Sequence, residues 1–142
     1  MINAEQHLIT RPLIEPGAYR ASLEIKSWQF CYDAGPDGTS LCLGGQLTIE
    51  SSEIPKIPVE ELHLCNRHDT DRYFKTPTPI DERDLGAIAV ERFAWGVIIV
   101  RESDPFMIYQ LLETKRSLTL LLDIRIDEDN QAIAVQAMHF YL

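Results

Sequence analysis

The chain has 142 residues, 45% of them hydrophobic and 25% charged, and carries a net charge of −9. That length holds one ordinary domain with a real core, and the composition is that of a folded chain, not a disordered one. With 13 basic residues against 22 acidic ones, a nucleic-acid duplex is excluded as the expected partner, because binding phosphates requires Lys and Arg to displace counterions.

Residues 1–17 read as an N-terminal arm. "MINAEQHLITRPL" has neither a basic lead nor a long apolar stretch, so it is not expected to be a signal peptide. The longest apolar run, Phe93–Val100, is far short of the roughly 20 residues of a membrane helix. A cytoplasmic chain is the expectation, and three cysteines without a CxxC spacing fit reduced thiols there.

The first predicted hairpin covers about residues 19–50, with strands Tyr19–Tyr32 and Ser40–Glu50. Pro36-Asp37, framed by Gly35 and Gly38, supplies the turn chemistry. A turn centred there sets Tyr32 against Leu41, Phe30 against Leu43 and Trp28 against Gly45. Nearer the N-terminus the apolar phase slips from even to odd, which predicts a one-residue bulge at Lys26-Ser27 and pairs Ile25 with Leu47 and Leu23 with Ile49. The same register puts Cys31 opposite Cys42, a pair that a reducing compartment keeps unbridged.

The Pro-punctuated stretches "SSEIPKIPVEE" and "KTPTPIDERD" read as extended connectors. Between them lies a short strand, Leu62–Cys65, and residues 66–92 form a long connection. Within it, 81–93 fits a short helix through Leu85, Ile88, Ala89 and Arg92, and fits a strand over Ala87–Glu91 equally well. Ala94–Arg101 is apolar on both faces, the mark of a central or doubly covered strand. Ser103 as N-cap and Pro105 in the first turn open a helix near 104–115.

The second hairpin spans about 117–142. Leu118, Leu120, Leu122, Ile124 and Ile126 share one face, and Asp127-Glu128-Asp129-Asn130 makes the turn. The expected register sets Ile133 against Ile124, Val135 against Leu122, Ala137 against Leu120 and His139 against Leu118, which puts His139 on the core face. "DEDN" lacks the Asp-x-Asp-x-Asp-Gly spacing and distal Glu of a calcium loop. The whole predicts a single α+β domain over 1–142, β-dominated: an antiparallel sandwich or half-barrel on two hairpins, with one helix across an opening.

No GxGxxG, GxxxxGK[ST], HExxH, GxSxG or PCxxC stretch occurs, so the common nucleotide, protease, esterase and deaminase signatures are missing. The densest set of candidate ligands is "LHLCNRHDTDRYF". On a strand, His63 and Cys65 point to one side and Leu62 and Leu64 to the other. If His68 and Asp69 fold back from the loop, they complete a borderline-soft zinc set with His63 and Cys65. The spacing matches no recurring zinc pattern, no second ligand pair exists, and the loop interleaves opposite charges, so a strand end is the preferred reading. A metal-free Cys65 dyad with His63 or His68 is disfavoured by acidic surroundings, which raise a thiol pKa. Glu60-Glu61 and Asp81-Glu82-Asp84 read as capping or solubilising carboxylates.

The expected function is therefore a non-enzymatic acidic protein-binding module, of toxin-neutralising or assembly type, with a basic protein partner and no cofactor, nucleic acid or membrane. The alternative is a small zinc-dependent hydrolase built on His63, Cys65, His68 and Asp69, joined by His139. A weaker option is a homo-oligomer in which the terminal strand "AVQAMHFYL" pairs between copies.

Overall fold

The computed structural model describes residues 15–32, 39–50, 55–65, 84–90, 94–101, 103–126 and 133–140. Among them, in chain order, are β1 (Gly17–Tyr32), β2 (Thr39–Ile49), β3 (Ile57–Cys65), β4 (Gly86–Val90), β5 (Ala94–Ile99), α1 (Asp104–Lys115), β6 (Thr119–Ile126) and β7 (Ile133–Phe140). The strands form a closed barrel in the order β1-β2-β3-β5-β4-β7-β6. β6 returns to β1, from Gly17 opposite Ile126 to Glu24 opposite Thr119. The pairing of β3 with β5 is parallel and all other pairings are antiparallel.

Closure corrects the expected sandwich or half-barrel. Alternation along a strand fixes which face is buried, and that face is the same in either architecture. What decides the matter is a contact remote in sequence, the β1–β6 pairing.

The β1 bulge falls between Ile25 and Ser27, at the place the phase slip predicts. The register beyond it differs by two residues: Tyr32 pairs with Thr39, Phe30 with Leu41 and Trp28 with Leu43. Cys31 therefore faces Ser40, and Cys42 faces Gln29, so the two thiols are diagonal neighbours and not an opposed pair. On the near side of the bulge Leu23 meets Leu47, and Ala21 meets Ile49. Glycine at 45 is required by a close approach, because a Cβ there would collide with the Glu24 carbonyl oxygen.

Strand β3 begins at Ile57, inside the stretch expected to be a connector. Ile57 and Val59 are buried while Pro58 and Glu60 are exposed, an ordinary two-residue alternation. Pro58 is tolerated since β5 pairs with β3 only from Val59 onward, so its missing N–H breaks no bond on that side. The ambiguous segment 81–93 contains β4, a strand whose five residues are all buried. β5 lies between β3 and β4 with both faces covered, as its apolar pattern requires.

The second hairpin departs from its expected register in two ways. Ile126 pairs with Ile133 and Ile124 with Val135, a two-residue shift. A further irregularity between Asp123 and Ile124 then changes the phase of β7, so that Leu122 faces Met138 and Leu120 faces Phe140. His139 consequently points outward beside Asp123, its Nε2 at 3.3 Å from Oδ2, and not into the core. β7 is paired with β6 along its length and with β4 over Ile133–Val135. The β6 side of the strand on which pairing between copies was expected to rest is thus taken up within the chain, and its β4 side is taken up over Ile133–Val135.

Helix α1 joins the end of β5 to the start of β6, two strands separated by others around the barrel in either direction. It therefore crosses one barrel mouth, leaning on β1 and β2. Ile108 and Leu112, one turn apart, are completely buried in the main core. Ser103 precedes the helix as expected but makes no side-chain cap. The Asp104 carboxylate instead accepts from the Arg101 backbone N–H at 3.0 Å. At the other end Arg116 adopts φ 61° and donates its N–H to the Leu112 carbonyl.

Outside the core, one carboxylate is buried among the described residues. Asp84 receives both guanidinium nitrogens of Arg125, at 3.0 and 2.9 Å, tying the chain before β4 to β6. This is the role of a residue expected to cap or solubilise.

Candidate functional site

Leu62 and Leu64 are buried in the barrel interior, and His63 and Cys65 project from its outer face, as the alternation requires. There the predicted ligands part company. Cys65 is packed into a small exterior cluster with Ala87, Ala89 and Val97. His63 is half-buried, opposite Cys42 on β2 and Val97 on β5, with Nε2 3.7 Å from Glu61 Oε2. His68 and Asp69 lie outside the described residues. His139 is on β7, with β5 and β4 between it and β3. Among the described residues no group of three or more His, Cys, Asp or Glu is placed to hold a metal ion.

The three cysteines are unbridged and lie on neighbouring strands of one outer face, with graded access: Cys31 exposed, Cys42 intermediate, Cys65 buried. Burial pushes the Cys42 thiol up from its ordinary value, and the nearby Glu61 and Cys31 push it further. A thiol kept protonated is a poor nucleophile, which argues against Cys42 in that role. Limited labelling with a thiol reagent, mapped by mass spectrometry, is expected to modify Cys31 first. Cys42 should follow slowly and Cys65 only on unfolding; Cys65 reacting as fast as Cys31 would contradict this packing.

Among the described residues the barrel interior is lined by apolar side chains. Its largest buried side chains are aliphatic: Leu23, Leu41, Leu43, Leu62, Leu64 and Ile88 among them.

A different feature stands out at the mouth covered by α1. Phe106 and Met107 are the exposed large hydrophobic residues among those described, at 49% and 41% of full exposure. Phe106 is not isolated. Its ring meets Phe30 edge-on at 5.8 Å, and Tyr109 lies 5.0 Å from Phe30 and 6.4 Å from Phe106. Trp28, half-buried beside them on β1, donates its indole N–H to Glu113 at 2.9 Å. The result is an aromatic ledge, backed by Phe30 and Trp28 on β1 and edged by the Glu113 carboxylate.

Sequence reasoning passed over this ledge, although a signal was present. In "PFMIYQLL" the apolar residues run around the whole helix, whereas covering the barrel uses the buried Pro105, Ile108 and Leu112 and the partly buried Tyr109. Phe106 and Met107 are the surplus. Compared with protein-family models, curated proteins and solved structures, the chain matches none.

Proposed function

We propose that this protein is a non-catalytic binding module that docks a basic protein partner through the ledge of Phe30, Phe106, Met107 and Tyr109. The observation that carries the reading is the exposure of Phe106 and Met107 on a helix whose other face is anchored in the core. Aromatic residues and Met are the types enriched where partners bury surface, and a rigid anchor loses little entropy on binding. The net charge of −9 supports a basic partner by steering its approach. Among the described residues no helix is long and apolar enough to cross a membrane. The three unbridged thiols support a cytoplasmic setting.

The test uses a photo-crosslinking residue placed at Met107, with a second placed at Gln136 on β7 as a control surface, in lysate of the source cells. One basic protein crosslinked stoichiometrically at 107, and lost with Phe106→Ser, is the expected result. Its capture should weaken as salt rises. Equal crosslinking at both positions, or capture indifferent to Phe106→Ser, would overturn the proposal. The substitution itself should change stability by less than about 1 kcal/mol, since Phe106 is half in water.

A further inference from the structure

On the barrel exterior, β1, β2 and the start of β6 enclose an open groove of about 470 Å³. Lys26, Lys56 and Arg116 line it together with Glu24. This is an unusual concentration for a chain in which acidic residues outnumber basic ones 22 to 13. Glu24 accepts from Lys26 at 2.6 Å and neutralises one cation, which leaves two positive charges in excess among the described lining residues.

Two features of the backbone aim these cations. Lys26 occupies the β1 bulge, the position left without a ladder partner in the β1–β2 register. Bulges recur beside functional sites because they re-aim a side chain. Arg116 holds the left-handed conformation at the helix end, φ 61°, the one non-glycine residue described with positive φ. Glycine fits that position without strain, so an arginine there keeps a charge at the groove against the local backbone preference.

We infer that this groove binds a small phosphorylated polyol, with Lys26, Lys56 and Arg116 holding the phosphates. The hydroxyls of Ser22, Thr48 and Thr119 line the same groove and can bond to ligand hydroxyls or phosphate oxygens. None of the described lining residues is aromatic, so there is no platform on which a nucleotide base would stack. The volume lies within the usual range for small-molecule sites.

The test is an amide NMR titration of the intact protein with fructose 1,6-bisphosphate at about 0.15 M salt. Fructose and inorganic phosphate are the comparison arms. Saturable shifts confined to residues 22–26, 46–48, 56 and 116–119 are expected with the bisphosphate. Affinity for each comparison compound should be weaker by about tenfold or more. Arg116→Gly is the decisive variant, since it removes a phosphate-holding charge while suiting the left-handed backbone. It should bind about tenfold more weakly and melt no lower than the parent. Lys56→Ala, outside the strands, should lose affinity similarly.

Absence of saturation, or wild-type affinity in Arg116→Gly, would overturn the site. Equal affinity for inorganic phosphate and the bisphosphate would overturn the polyol assignment.

Discussion

Replacing Arg125 with Met is expected to lower the unfolding free energy by about 3 kcal/mol, and the melting temperature by roughly 10 °C. The reason is the partner left behind. The Asp84 side chain keeps only 2% of its exposure, and both of its oxygens are held by the guanidinium. Without Arg125, the Asp84 carboxylate is left with little water around it and its guanidinium partner gone. The low end of the range for a broken buried pair applies, because Arg125 itself retains 29% exposure and water can reach in part. Pairing the change with Asp84→Leu should recover most of the loss, since removing both charges leaves nothing stranded. Chemical denaturation of the single and double variants measures both effects. A single variant within about 1 kcal/mol of the parent would show that the pair does not brace β4 against β6.

That bridge joins residues 41 apart in sequence, and distance in sequence separates what was legible from what was not. Strand positions and the helix follow from local periodicity and punctuation, so β1, β2, β5, β6 and α1 were readable. Register was harder. Sliding one strand of a hairpin by two residues keeps every side chain on its face, so alternation alone cannot choose between Phe30 opposite Leu43 and Phe30 opposite Leu41. The phase change in β7 was, by contrast, written in the chain. Ile133 and Val135 are apolar at odd positions, and Met138 and Phe140 at even ones, the same slip that locates the β1 bulge. Reading it would have turned His139 outward from the start.

Barrel closure and the parallel β3–β5 contact depend on pairings with no local signature. Of the candidate site, "LHLCNRHDTDRYF" was legible as a strand end, because Leu62 and Leu64 had to face inward. The ledge and the groove were hidden for opposite reasons. The ledge brings Phe30 together with a helix 76 residues further on. The groove gathers cations from three separate segments, which a net charge averages away.

Leu112→Ala is expected to cost about 3 kcal/mol, against less than about 1 kcal/mol for Phe106→Ser on the same helix. Both are large apolar residues on a twelve-residue element, so helix propensity does not distinguish them. Burial does. Leu112 is 0% exposed and reaches into the core with Ile108, so truncation leaves a cavity at the barrel mouth that surrounding strands cannot fill by collapse. Held by β1 and β2 on one side, the helix also has Trp28 bonded to Glu113 one residue beyond Leu112, which restrains any inward shift. Urea unfolding of the two variants gives the comparison directly. If both cost the same small amount, α1 is an appendage that does not close the barrel, and the ledge it carries would lose the rigid support that makes it suited to docking. If Leu112→Ala alone is costly and Phe106→Ser alone abolishes capture of the partner, the two faces of α1 divide stability from recognition.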